Sequence, residues 1–256
     1  MKKHLLRITS NTEIARNIFE MKLTGSGVSL MTAPGQFLHV SVGKDSSNLL
    51  RRPLSICDVD LDREEATLLY RAQGDGTKQL SQKNNGEMVD VLGPLGNGFN
   101  LDTVDQNKNA LLIGGGIGVP PLYYLGKQLK SSGVQVTFIL GYQSKEDSFY
   151  VEKFQEIGET IVTTVDGSQG QKGFVTDAME PCLEDEPVIY SVGPGVMLKA
   201  VEERAGGLDG YLSLEERMGC GIGACFACVC PTETRQSGYV KICSDGPVFK
   251  MGEVVL

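Results

Sequence analysis

Four cysteines crowd into one short stretch, Cys220-Gly-Ile-Gly-Ala-Cys225-Phe-Ala-Cys228-Val-Cys230, and Cys243 follows downstream. Thiols at this density bond to one another, hold a metal, or simply pack. The chain of 256 residues has 7 cysteines, so complete internal pairing is impossible. Its first residues, MKKHLLRITS, lack the apolar core of a secretory signal. No stretch approaches the ~18–20 apolar residues of a membrane span. The expected setting is cytoplasmic, where thiols stay reduced and clustered cysteines serve as metal ligands.

A zinc ribbon uses two Cys-x2-Cys knuckles. Cys225 and Cys228 make one, but Cys243 has Gly246 where its partner belongs, so a zinc site has to borrow Cys220. Cys220-x4-Cys225-x2-Cys228 with a distant Cys243 is instead the spacing of a 2Fe–2S site. Three ligands on one tight loop must wrap a compact inorganic core. Gly219, Gly221, Gly223, Ala224 and Ala227 let the backbone pass close and aim N–H groups at sulfur. Residues 232–243 read as a hairpin that returns Cys243 as fourth ligand. Cys230 breaks the spacing and is left out; Cys57 and Cys182 read as small buried residues.

A 2Fe–2S centre passes single electrons, so other residues must connect it to an electron source. Three turns have the character of anion sites. GDGTKQL (74–80) puts Gly76 and Thr77 at the start of a helix, where free N–H groups and the dipole favour phosphate. RRPLS (51–55) offers Arg52 for a pyrophosphate and Ser55 for a flavin ring. IGGGIGVPP (113–121) runs from strand to helix, with Val119 where a third fingerprint glycine is expected and no acidic residue at the end of the next strand. SVGPGVML (191–198) is a second turn of that kind. Each also reads alone as an ordinary turn. Two such turns in one unit point to a dinucleotide crevice. His4 and His39 have no partner in view and read as structural or exposed.

These residues need elements to hold them. Residues 1–100 read as a barrel or sandwich of short strands, including 35–43, 53–60 and 65–72, separated by turn formers. Polar residues 102–109 mark a boundary. From residue 110, strands at 110–116, 134–142, 161–167 and 187–195 alternate with helices at 119–133 and around 154–160, a parallel α/β pattern. The expected division is 1–100, 101–212 and 213–256. With 24 basic and 32 acidic residues the chain carries −8, which argues against a nucleic-acid footprint.

In that order, PGQFLHV, RRPLSI, LGPLGNGF, GGGIGVPPL, SLEERMGCGIGAC and CSDGPVF resemble the ferredoxin–NADP reductase superfamily over nearly the whole chain. Within it they are similar to the electron-transfer subunits of B-type dihydroorotate dehydrogenases. The resemblance implies an antiparallel FAD-binding β-barrel, a parallel-sheet NAD-binding domain and a small C-terminal 2Fe–2S segment. It implies that Arg52, Pro53, Leu54 and Ser55 hold FAD, with Leu54 where the superfamily commonly has a tyrosine. Leu69, Tyr70 and Arg71 would line the flavin, and Gly76 and Thr77 would take its pyrophosphate. Gly114, Gly115, Gly116, Gly118, Gly193, Pro194 and Gly195 would face NAD. Val192 stands where many relatives carry a cysteine. Cys220, Cys225, Cys228 and Cys243 would bind the cluster.

No acid–base catalytic residue is expected. The implied partner is an FMN-containing catalytic subunit that oxidises dihydroorotate in pyrimidine (UMP) biosynthesis, in a heterotetramer of two of each chain. Phe226 and Phe249 read as local core, with partner contact as the alternative. NAD is preferred to NADP, although Lys145 lies near enough in sequence to meet a 2′-phosphate. Two other readings remain: a reductase subunit for ferredoxin, a sulfhydrogenase or an oxygenase, and a 2Fe–2S redox sensor.

Overall fold

The computed structural model describes residues 2–43, 49–101 and 109–256. Most of the expected boundary stretch, 102–108, lies outside them. The first six strands are β1 (Lys2–Ala15), β2 (Ile18–Thr24), β3 (Phe37–Val40), β4 (Arg52–Asp60), β5 (Glu65–Arg71) and β6 (Met88–Leu95). They close an antiparallel barrel in the order β1-β2-β5-β4-β3-β6. The two-residue period of the strands explains its core: Leu6 and Ile8, Met21 and Leu23, Leu38 and Val40, and Val89 and Val91 all point inward. A short helix, α1 (Asp75–Ser81), crosses between β5 and β6.

β3 differs from an ordinary barrel strand because all four of its residues are buried. Leu38 and Val40 enter the barrel core, while Phe37 packs outside with Cys228, Cys243 and Phe249. The C-terminal segment therefore covers the outer face of β3.

The second sheet begins with β7 (Ala110–Gly115), β8 (Val136–Tyr142), β9 (Glu159–Thr164) and β10 (Gln171–Lys172), then adds β11 (Val188–Val192) and β12 (Gly210–Ser213). These six run parallel. β7 and β11 are buried at every position, as central strands covered on both faces must be. Three helices are α2 (Pro120–Ser131), α3 (Val151–Gln155) and α4 (Gly195–Ala205). α2 opens on two prolines, which need no N–H partner there, and buries Leu122, Leu125 and Leu129. α3 starts earlier than the sequence suggested, because Val151 and Phe154 form its buried face.

In the last segment, β13 (Val229–Pro231) and β14 (Tyr239–Lys241) form an antiparallel hairpin. The chain then returns as β15 (Val248–Lys250), antiparallel to β12. The full order is β10-β9-β8-β7-β11-β12-β15. The expected parallel sheet is present, and the C-terminal segment adds β15 to its edge as one antiparallel strand. β15 follows the turn that carries Cys243, and Phe249 anchors it in the same core as that cysteine.

Barrel and sheet are tied by polar contacts that the sequence did not advertise. Lys127 Nζ lies 2.7 Å from Asp58 Oδ1, and Arg16 Nη2 lies 2.6 Å from Asp147 Oδ2. The Tyr150 hydroxyl and Lys153 both reach Glu20. Among the described residues no helix is long and apolar enough to cross a membrane.

Candidate functional site

Strand order reverses between β7 and β11, and such a switch point leaves a crevice at the carboxyl ends of the strands. Here it is about 770 Å³, lined by Gly115, Gly116, Gly118, Gly193, Pro194 and Met197 among others. The two glycine turns touch: a Cβ on Gly118 would lie 2.7 Å from Gly193 Cα. Gly114 and Gly195 do not line the crevice. Gly114 sits within β7 beneath Leu122 and Val119, and Gly195 starts α4.

A second crevice of about 460 Å³ lies between the barrel and the segment before the cysteines. Pro53, Leu54, Ser55, Leu69, Tyr70, Arg71 and Thr77 line one side, and Ser213 to Met218 with Pro247 line the other. Arg52 and Gly76 stand just outside, brought together as the sequence reading grouped them. The Arg52 guanidinium lies over Gly76, so close that a Cβ there would be 2.5 Å from Nε. Arg52 also donates to the Leu50 carbonyl.

Arg71, Ile117 and Glu215 line both crevices and mark where they meet. Arg71 Nε is buried there without a hydrogen-bond partner, as suits a wall built to receive a polar ligand. The Glu215 side chain opens onto the crevices yet is walled by protein, and this desolvation raises its carboxyl pKa. Sequence reading quoted Glu215 only as part of a motif. Its position on both crevices comes from β12, which ends at Ser213 and aims the chain across them.

The cysteine loop brings its four ligands together as two pairs. Cys220 and Cys225 interact with each other, as do Cys228 and Cys243. The second pair is buried, while Cys225 is exposed and Cys220 half-buried. The N–H of Gly223 donates to Cys243 Sγ at 3.1 Å, and those of Ile222, Ala224 and Cys225 donate to Cys220 Sγ at 3.3–3.4 Å. Burial alone would raise the Cys220 pKa; these N–H groups and the Cys225 side chain outweigh it and bring the thiol down to about 6. Burial, reinforced by Cys228, pushes Cys243 up to about 12. Among the described residues no three His, Cys, Asp or Glu side chains form a single-ion site. Two sulfur pairs flanked by backbone donors suit a two-iron core, so the donor set fits a 2Fe–2S cluster.

Support for the loop comes from the barrel. Asn97 donates from its side chain to the Asp245 carbonyl at 3.0 Å, and its N–H donates to Gly246 at 2.7 Å. Lys241 Nζ donates to the Gly223 carbonyl at 2.9 Å and lies 3.9 Å over the Phe226 ring. The reading of the two phenylalanines divides: Phe249 is core, but Phe226 is 47 % exposed and points away from it. Cys57 is fully buried, Cys182 is half-buried, and Cys230 contacts the Val255 carbonyl apart from the ligand pairs.

Barrel, switch-point crevice and cysteine loop together define an NAD-linked oxidoreductase with an iron–sulfur domain. Known proteins agree. The family described as the oxidoreductase NAD-binding domain matches residues 112–203, and the iron–sulfur cluster binding domain of dihydroorotate dehydrogenase B matches 215–255. The electron transfer subunit of dihydroorotate dehydrogenase B (NAD(+)) from Bacillus mycoides (strain KBAB4) is 54 % identical over 100 % of both chains, and that from Geobacillus sp. (strain WCH70) is 55 % identical over the same shares. A chain of the NADH-dependent reduced ferredoxin–NADP oxidoreductase superposes with a TM-score of 0.87 at 32 % identity, covering 98 % of this chain and 90 % of that one. The chain belongs to the family of electron transfer subunits of dihydroorotate dehydrogenase B.

Proposed function

We propose that this chain holds FAD in the barrel crevice, NAD in the switch-point crevice and a 2Fe–2S cluster in the cysteine loop, and serves an FMN-containing catalytic subunit that oxidises dihydroorotate in pyrimidine (UMP) biosynthesis. When bound, NAD exchanges electron pairs as hydride, the cluster exchanges single electrons, and the flavin does both. The chain's own residues position these groups. Arg52, over Gly76 and beside Thr77 at the start of α1, supplies charge for the flavin pyrophosphate. Pro53, Leu54, Ser55, Leu69, Tyr70 and Arg71 form the wall for its ring. Gly115, Gly116, Gly118, Gly193 and Pro194 let NAD approach the backbone, while Gly114 and Gly195 shape the turns from behind.

Cys220, Cys225, Cys228 and Cys243 would hold the cluster. The observation that carries this reading is their convergence as two pairs on a segment whose leading residues wall the flavin crevice. Ile222, Phe226, Val229 and Tyr239 are exposed on the cysteine segment, and the Phe226 ring lies against that of Tyr239, an apolar surface suited to the partner. The working assembly is a cytoplasmic heterotetramer of two subunits of each kind. Residues 1–100, 101–212 and 213–256 are its flavin, nucleotide and cluster units, the last joined to the second through β15.

Co-expression with the catalytic subunit tests the proposal. The expected result is a stable complex that reduces NAD with dihydroorotate. A chain that purifies with flavin and iron yet joins a different redox enzyme would contradict the partner assignment.

A further inference from the structure

His39 is 1 % exposed, and no side chain partners either ring nitrogen; only backbone groups, at Arg51 and Cys220, face them. A buried imidazole held only by backbone groups, one of them in a distant loop, asks for an explanation. The residue sits on β3, where alternation with Leu38 and Val40 turns it out of the barrel toward the C-terminal segment. Gly221, between two cysteine-loop residues, lies directly on the ring: a Cβ there would be 2.6 Å from His39 Nδ1. The backbone of Cys220 faces the ring from the loop side and that of Arg51 from the barrel side. Across the strand pair, His39 is in register with Pro53, which lines the barrel crevice. The imidazole is thus wedged between the wall of one cofactor crevice and the loop of the cysteine ligands.

We propose that His39 is a positioning residue for the iron–sulfur cluster: from the barrel, it seats the Cys220–Gly221 turn, with its ring against Gly221 and a ring N–H directed at the backbone of Cys220. This rests on the reading of the four cysteines as cluster ligands. It explains why the turn has glycine at 221, and why an outward position on β3 carries a polar side chain in a dry place. Seating this turn holds the N–H groups of Ile222, Ala224 and Cys225 that donate to Cys220 Sγ, and hydrogen bonds toward sulfur are among the protein's means of setting a cluster's potential. The loss of one such bond is expected to move the ratio of reduced to oxidised cluster at a fixed potential by about two- to tenfold.

The test uses the full chain with its cluster, as wild type, His39→Leu and His39→Gln. Leucine fills the space without a donor; glutamine restores an N–H. The readouts are the electron paramagnetic resonance g-values of the dithionite-reduced protein, the reduced-to-oxidised ratio in a redox titration, and iron release to a chelator. The expected result is altered g-values, a shift toward the oxidised form and faster iron release in H39L, with H39Q close to wild type. Identical spectra, ratios and release in all three proteins would overturn the inference and leave His39 as packing. If H39L does not fold, H39N decides, since its shorter amide cannot span to the loop; an unchanged signal there overturns the inference equally. A wild-type protein lacking iron and labile sulfide would instead defeat the cluster reading itself.

Discussion

Gly118→Ala tests the geometry of the nucleotide crevice. The new Cβ would lie 2.7 Å from Gly193 Cα, 2.7 Å from the Val192 carbonyl oxygen and 2.8 Å from Gly193 N. All three are backbone atoms, so no side-chain rotation relieves the clash. Ordinary contact begins at 3.4 Å, so the two turns must separate by about 0.7 Å. Overpacking of this kind costs about 1–3 kcal/mol. For a chain of this size that lowers the melting temperature by roughly 2–12 °C. Because the strained turns are the proposed floor for NAD, the affinity for NADH should also fall by at least about fivefold. Thermal melts and fluorescence titration with NADH measure both. Gly195→Ala is the control: its Cβ meets nothing within 4 Å, and alanine favours the start of α4. It should melt at or above the wild-type temperature. A Gly118→Ala protein with wild-type melting and NADH affinity would refute the reasoning, as would equal damage from Gly195→Ala.

Cys243→Ser should abolish cluster assembly, whereas Cys230→Ser should leave iron content unchanged; iron and sulfide analysis separates the two. Asp147→Asn should lower the melting temperature at pH 7. Burial raises the Asp147 pKa, but hydrogen bonds from Ser144 and Arg16 and the Arg16 charge outweigh it, holding the carboxyl below its ordinary 3.8. The stabilisation is therefore complete above 3.8 and is lost as pH falls through the lowered value, so the gap between variant and wild type should close in acid. Melts from pH 7 down to 3 check the sign, and a gap that widens in acid would contradict it. Phe226→Ala should keep flavin and iron but weaken binding of the catalytic subunit, measured by sedimentation.

The local chemistry of this protein was legible because it is written at short range. Cysteine spacing, the Gly-Thr pair in the first turn of α1 and the strand–glycine–helix turns each fit within about ten residues, and their geometry follows from the backbone alone. Long-range coverage was not legible. FLHV looks like any barrel strand until Phe37 and His39 are seen beneath a loop from the far end of the chain. The same distance hid β15, whose pairing with β12 follows from the docking of the Cys243 turn on Asn97. Glu215 could not be distinguished from its neighbour Glu216 by type; only the junction of the two crevices separates them, since Glu216 lines just the barrel one. Hydrophobicity suggests burial for Phe226, but it is exposed on a tight loop, with Lys241 over its ring.

The central claim is that pyridine nucleotide, flavin and cluster communicate within this one chain. The most direct measurement is anaerobic addition of NADH to the isolated protein, following flavin absorbance and the electron paramagnetic resonance spectrum together. The account predicts bleaching of a bound flavin and a spin signal from a reduced two-iron centre. Bleaching with no spin signal from a protein that contains iron, or zinc in place of iron, would contradict it.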